Sequence, residues 1–147
     1  MADRHVAQIN IARFRADKDD PANADFMAAL DAVNAAADGS PGFVWRLVGD
    51  GNDATDVEVV PDDPNLIVNM SVWRDVASLE AFAYRHAGHR AVLVRRKEWF
   101  EPLEPSYALW WVEVDHLPTV AEGLAALDEL GRKGPRERVF NFRTANR

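Results

Sequence analysis

The apolar residues of this chain follow two spacings, alternation for strands and a 3.6-residue period for helices. Residues 6–14 alternate, with Ala7, Ile9 and Ile11 on the face opposite Gln8 and Asn10. Residues 43–48, 66–73 and 107–115 and the short segment 139–142 have the apolar character of four more strands. The pattern therefore predicts five strands.

Three helices are predicted between these strands. The first begins near Pro21 and ends at Gly39, and the second begins at Asp75 or Ser78 and runs to Phe100. The third begins with the capping-box pair Thr119 and Glu122 and ends at the Gly-Pro pair 134–135. Residues 49–65 are acidic and rich in turn formers, which predicts a surface loop.

The order of elements predicts an α+β fold. It contains the split βαβ pattern of a ferredoxin-like sandwich with an antiparallel sheet, in a single domain over residues 1–147 with a C-terminal helix-strand extension. Helices are expected on one face of the sheet. The other face then needs cover, and a second copy of the chain across a two-fold axis, a homodimer, is the commonest solution.

The second predicted helix carries ionisable residues where core residues are expected. One stripe of it holds six residues spaced three or four apart: Phe82, His86, His89, Leu93, Arg96 and Phe100. A buried imidazole or guanidinium without a partner costs roughly 1 to 3 kcal/mol, so something must satisfy these groups. A polar pocket under the helix is therefore expected.

Composition excludes several classes of function. The chain has 147 residues, a net charge of -7 and no cysteine, so phosphate-backbone binding, disulfides and thiolate chemistry are disfavoured. There is no apolar run long enough to span a bilayer and no secretory leader, and the expectation is a cytoplasmic protein with neither nucleic-acid nor membrane partners. Nucleotide loops, nucleophile elbows and zinc spacings are also absent from the sequence.

The two histidines of the stripe have more than one interpretation. Each is either a structural residue bonded to a backbone carbonyl or to Glu113, or a group that binds ligand or moves protons. No acidic residue on the stripe completes a non-haem metal site with them. His89 is preferred over His86 because it lies nearer the centre of the stripe.

Other polar and aromatic residues are also candidates. Polar residues alternate on three predicted strands, either facing solvent or, beneath a second subunit, forming a ligand-orienting network: Gln8, Asn10, Asn69, Ser71 and Glu113. Asn10 is a candidate donor to a developing oxyanion, and Glu113 a candidate base or a partner that orients the imidazole. Arg96 binds either a carboxylate of the ligand or an internal acid. Trp110 and Trp111 must point to opposite faces of one strand, and the tryptophans either pack the core and interface or line a flat pocket.

Seven sequence motifs together are distinctive and span nearly the whole chain. They are Trp73, SLEAF from Ser78, YRHAGHR from Tyr84, RRKEWF from Arg95, LWW from Leu109, HLPT from His116 and GP from Gly134. In these motifs the chain resembles domain of unknown function 3291. That family is similar to the dimeric α/β-barrel superfamily, which also includes antibiotic-biosynthesis monooxygenases, haem-degrading monooxygenases and small-molecule-binding proteins.

The resemblance implies a site made of a strand asparagine, a tryptophan and a helix histidine, here Asn10, Trp73 and either His86 or His89. In haem-degrading relatives the histidine binds iron, and in cofactor-independent relatives the pocket holds an electron-rich aromatic whose anion reacts with dioxygen. The expected function is thus a monooxygenase-like enzyme acting on an aromatic or polycyclic metabolite, with haem as a possible cofactor held by His89. The alternative is a non-catalytic binding protein for haem or another hydrophobic small molecule. Further ligand contacts are expected from Phe82, Asn69, Trp111, Glu113 and Arg96.

Overall fold

The computed structural model describes residues 4–49, 54–55, 57–60, 62–103 and 105–145. Its strands are β1 Arg4–Phe14, β2 Phe43–Arg46, β3 Leu66–Trp73, β4 Phe100–Glu101, β5 Tyr107–Glu113 and β6 Val139–Phe140. Its α-helices are α1 Ala24–Asp38, α2 Val76–Glu80, α3 Ala87–Trp99 and α4 Val120–Lys133. A 3₁₀ turn, Pro21–Asn23, precedes α1, and a π-helical segment, Ala81–Arg85, links α2 to α3.

All strand pairs are antiparallel, and the main order across the sheet is β2-β3-β1-β5-β6. The first four strands in this order are those of the predicted split βαβ unit, so the ferredoxin-like α+β prediction is confirmed. The two-residue β4, which pairs with the end of β1 at Arg13 and Phe14, was not predicted. It is too short for a periodic pattern to form.

Because side chains alternate along each strand, the sheet has two distinct faces. The pocket face carries Gln8 and Asn10 of β1 and is covered by α1 and α3. The other face, here called the α4 face, carries Ala7 and Ile9 of β1 and is covered by α4.

The α4 face is buried within a single chain. Ile9 and Met70 are fully inaccessible, and both belong to a core that includes Ala126, Leu127 and Leu130 of α4. A Cβ at Gly123 would lie 2.7 Å from Cδ1 of Ile9, so the glycine allows α4 to approach the sheet closely. The second copy was expected because this face needed cover, and that reason is wrong: α4 provides the cover. The homodimer itself stays a prediction.

The segment after β2 also departs from expectation. Residues 49–65 were predicted to form a surface loop, but Ala54 is buried and Val57 and Val59 pack against the core of the α4 face. The described residues of the segment form turns and bends with no helix or strand, so the predicted loop is present, but burial of its apolar side chains holds part of it against the core. Residues 50–53, 56 and 61 lie outside the described part of this loop.

The long helix of the predicted stripe is interrupted. His86 has extended backbone geometry (φ -71°, ψ 122°), so the first segment ends at Arg85 and α3 begins at Ala87. Gly88 lies against this break, where a Cβ would come within 3.1 Å of Cε1 of His86. A glycine inside a helical pattern indicates a kink or close packing, and here the break lies two residues before Gly88. Within the described residues, no helix combines the length and the apolarity needed to cross a membrane.

Candidate functional site

A cavity of about 550 Å³ lies between the pocket face of the sheet and the helices α1 and α3. Five of the six residues of the predicted stripe line it: Phe82, His89, Leu93, Arg96 and Phe100. The volume is within the range of about 300 to 1,000 Å³ that small-molecule sites occupy. The pocket predicted beneath the helix is present, although the helix above it is broken.

The floor of the cavity is a hydrogen-bonded network of side chains from the neighbouring strands β1 and β3. Nε2 of Gln8 donates to Oδ1 of Asn69 and to Oγ of Ser71, both at 2.7 Å. The indole N–H of Trp73 donates to the same Ser71 oxygen at 2.8 Å. Two donors therefore occupy the two lone pairs of the Ser71 hydroxyl. Its hydrogen has no acceptor among the described side chains and is left to donate to a ligand.

His89 is held in one tautomer. Its Nδ1 lies 2.7 Å from the carbonyl oxygen of Ala83. A carbonyl can only accept, so Nδ1 carries the proton and Nε2 keeps its lone pair. Burial lowers the pKa of His89, more than the hydrogen bond to Ala83 raises it, and the nearby His86 lowers it further. At neutral pH the cavity is therefore lined by an uncharged imidazole whose Nε2 makes no hydrogen bond to any residue that the structure describes.

The carbonyl of Ala83 is available to His89 because the helix breaks at His86. The last four carbonyls of a helical segment lack intrahelical partners, and Ala83 belongs to the last turn before the break at His86. The imidazole of His89 satisfies this carbonyl from the following helix. Local backbone geometry, and not a second side chain, thus sets the tautomer.

His86 has a different place. Its Nδ1 accepts a hydrogen bond of 3.4 Å from the backbone N–H of His89, as the N-cap of α3. Its ring packs 5.3 Å from that of Phe82, and it does not line the cavity. The ligand-binding role predicted for His86 has no support in this placement.

Two aromatic rings form the wall beside His89. Trp73 is almost completely buried and stacks on Phe82, with ring centroids 5.4 Å apart and planes 27° apart. The imidazole of His89 lies 5.1 Å from the Phe82 ring. Both rings line the cavity, with Phe82 9% and Trp73 1% exposed.

Asn10 and Asn69 face each other on adjacent strands and both line the cavity. Tyr107 is opposite Asn10 on the other neighbouring strand and also lines it. Asn10 is exposed and makes no side-chain hydrogen bond within the described residues. Its amide is accessible to a ligand, yet nothing fixes its orientation.

Two predicted site residues lie elsewhere. Glu113 is exposed beside Arg4, at the opposite end of β5 from Tyr107, and Trp111 stacks under the Arg4 guanidinium at 4.0 Å. Neither residue lines the cavity. Of the two partners expected for His89, a backbone carbonyl or Glu113, the structure shows the first, the carbonyl of Ala83. Alternation along β5 could not reveal how far each residue lies from the helix.

Arg96 is exposed at the mouth of the cavity. One of its terminal nitrogens donates to the carbonyl of Leu93 at 2.9 Å. Among the described residues it has no carboxylate partner, so the internal ion pair considered above is not present there. Arg15 and Lys97 also line this mouth.

The sequence drew attention to His89, Arg96 and Trp73, and it placed Gln8 and Ser71 among the candidate network residues without pairing them. Their alternation on two strands was visible, and only the register between β1 and β3 shows that they are directly opposite each other. Among the described residues there is no group of three histidine, cysteine or acidic side chains suited to a metal ion.

Comparison with known proteins identifies the family. The model of the family described as "Domain of unknown function (DUF3291)" matches residues 5–147, so the chain belongs to that family. No curated protein is similar enough in sequence to count as a match.

Solved structures share the fold at low sequence identity. A candidate antibiotic biosynthesis monooxygenase from Nitrosomonas europaea matches with a TM-score of 0.53 and 14% identity, over 81% of this chain and 97% of its own. SnoaB, a cofactor-independent oxygenase from Streptomyces nogalater, matches with a TM-score of 0.52 and 19% identity, over 80% and 100%. A conserved protein from Methanosarcina mazei matches with a TM-score of 0.52 and 11% identity, over 76% and 93%. These likenesses establish the antibiotic-monooxygenase-like, ferredoxin-like fold.

Proposed function

We propose that this protein is a monooxygenase-like enzyme that acts on an aromatic or polycyclic metabolite, with His89 as the base. The single observation that carries the proposal is the unused Nε2 of His89, a neutral imidazole fixed in one tautomer inside a cavity with aromatic walls. The fold shared with SnoaB, a cofactor-independent oxygenase, supports it.

The chemistry needs a substrate whose C–H or O–H is acidic because the resulting anion is delocalised over aromatic rings. Nε2 of His89 removes the proton, and the substrate anion supplies electrons to dioxygen, the co-reactant. A C–O bond forms and the His89 imidazolium returns its proton to the peroxide anion. The hydroperoxide then loses water, taking the second hydrogen of the same carbon, to leave a carbonyl, so one oxygen atom enters the product and the other leaves as water. The neutral state of His89 at pH 7 is what a base requires.

The remaining residues bind and orient. The Ser71 hydroxyl donates to the oxygen on which negative charge develops, a role expected from sequence for Asn10, which stays a second donor at the cavity. Trp73 and Phe82 pack the flat rings, Asn69 lines the floor, and Arg96 binds an acidic group of the ligand.

Oxygen uptake with anthrone as the probe tests this function. We expect turnover above the uncatalysed rate, a fall of about 100-fold or more in His89→Gln because the base is lost, and a smaller fall in Ser71→Ala. His116→Gln is the matched control, since His116 is exposed and pairs with Glu122 outside the cavity. Equal rates in the wild type and His89→Gln would contradict the proposal.

The alternative, a binding protein for haem, is favoured by the same free Nε2. The donor set fits the group: His89 would hold the iron and Arg96 a propionate, and bound haem would supply oxidative chemistry or serve as cargo. Titration with haemin tests whether the protein binds haem through His89. We expect a Soret shift in wild type that is lost in His89→Ala and kept in His86→Ala; no shift, or one unchanged in both variants, removes the haem version.

The resemblance to dimeric relatives also suggests a homodimer. Because α4 covers the α4 face, a second copy would contact another surface.

A further inference from the structure

The mouth of the cavity holds three positively charged side chains. Arg15, Arg96 and Lys97 all line it, and none has a carboxylate within salt-bridge distance among the described residues. Among the described residues one more arginine lines the cavity, Arg46, and it pairs with Asp38 at 2.8 Å. One acid, Glu101, also lines the cavity, and it lies 4.0 Å from Arg13.

The three cations are assembled by tertiary structure. Nε of Arg15 donates to the backbone carbonyl of Lys97 at 2.9 Å, which joins the end of β1 to the last turn of α3. Arg96 and Lys97 alone could be explained as charges that complement the negative end of α3. Arg15 is not part of that helix, so the helix dipole does not explain the group as a whole.

The charge of the whole chain makes this group informative. With 24 acidic and 17 basic side chains, the average surface repels anions. Three unpaired cations at the opening of one apolar cavity oppose that average and would draw an anionic ligand to this place.

The spacing along α3 fixes where the anion lies relative to the base. At about 1.5 Å of rise per residue, the seven residues from His89 to Arg96 span about 10 Å. Phe82 and Trp73 lie at the His89 end, and Phe100 lies at the cationic end. On α3, the residues that line the cavity between His89 and Arg96 are the apolar Val92 and Leu93.

We propose that the ligand is an acidic amphiphile: a flat apolar body with one anionic group, a carboxylate or an equivalent anion, that binds to Arg15, Arg96 and Lys97 about 10 Å from the atom facing His89. This deepens the proposed function by naming the substrate class, and it rests on that function only for the reaction at His89. The anionic end stays in the hydrated mouth while the rings enter the cavity. This orientation places the reactive end of the ligand beside the imidazole and the Ser71 hydroxyl.

A matched pair of fluorescent probes tests the assignment without turnover. 1-Pyrenebutanoate and 1-pyrenebutanol share the same rings and chain length and differ in the charged group. We expect the wild type to bind the acid at least about tenfold more tightly than the alcohol, with a preference that weakens in 0.5 M salt. Arg15→Gln, Arg96→Gln and Lys97→Gln should each weaken acid binding several-fold and leave alcohol binding unchanged.

Arg90→Gln is the control, because Arg90 is an exposed cation of the same helix that does not line the cavity. Equal affinity for the two probes, no binding of either probe, or an equal effect of Arg90→Gln and Arg96→Gln would overturn the assignment. Because the measurement is equilibrium binding, it can succeed while the oxygen-uptake experiment fails, and the reverse. The two proposals are therefore tested separately.

Discussion

Two features set the protonation state of the His89 imidazole, a hydrogen bond and burial. The Ala83 carbonyl places the proton on Nδ1, and burial under α3 lowers the pKa of the ring. Neither feature involves a charged partner, so the site keeps a base that is neutral and desolvated. A carboxylate partner for this histidine, Glu113, was the other arrangement that the sequence allowed, and it would have favoured the charged form of the ring.

The depressed pKa of His89 predicts an acid-sensitive fold. The unfolded chain, with an ordinary histidine pKa near 6.5, binds this proton more readily than the folded chain does, so the stabilisation is present above pH 6.5 and is lost as the pH falls toward the folded value. We expect the wild type to lose more melting temperature between pH 7.5 and pH 5.5 than His89→Gln loses. Thermal melts at both pH values measure this. Parallel losses in the two proteins would show that His89 does not contribute.

The Ser71 hydroxyl accepts hydrogen bonds from two side chains, Gln8 and Trp73. Ser71→Ala leaves the buried indole N–H of Trp73 without its partner, and we expect a loss of about 1 to 3 kcal/mol in the free energy of unfolding. Trp73→Phe removes that donor. In a double-mutant cycle the combined loss should be smaller than the sum of the single losses, as measured by denaturant unfolding. Strict additivity would mean that the hydrogen bond contributes nothing measurable.

At the scale of elements, the break between the π-helical segment and α3 gives the two histidines of the predicted stripe different positions and partners. A continuous helix would use the Ala83 carbonyl internally and would align His86 with His89. The break instead assigns His86 to the N-cap of α3 and leaves His89 over the cavity. Gly88 gives the only sequence signal for this geometry.

The contact between α4 and the sheet depends on a residue without a side chain. A Cβ at Gly123 would lie 2.7 Å from Cδ1 of Ile9 and 3.1 Å from Sδ of Met70, and both of these side chains are fully buried. We expect Gly123→Leu to lower the free energy of unfolding by about 1 to 3 kcal/mol or more, since overpacking outweighs the better helix propensity of leucine. Ala125→Leu is the control at an exposed position of α4. An equal effect of both changes on the denaturation midpoint would contradict close packing at Gly123.

For the molecule as a whole, the sequence predicted five of the six strands, the ferredoxin-like order and the pocket, because each depends on periodicity. It could not predict which long-range partners meet. Gln8 and Ser71 are 63 positions apart and become neighbours only through the register of β1 with β3. Likewise, the strong apolar stripe of α4 was visible in Leu124, Leu127 and Leu130, but nothing local specified the sheet face that it covers.

The burial of the α4 face within one chain has a consequence for assembly. In a dimer that needs two sheets to bury each other, folding and association are coupled, so stability rises with protein concentration. Here Ile9, Met70 and Val72 are inaccessible before any second copy is added. Association through any surface raises the midpoint of urea denaturation with concentration, but we expect the midpoint to reach a constant value above zero urea once dilution has separated the copies, because the single chain stays folded. A chain that unfolds in buffer when it is diluted to the monomer, as followed by circular dichroism together with sedimentation, would show that a subunit interface, and not α4 alone, holds the core of this face together.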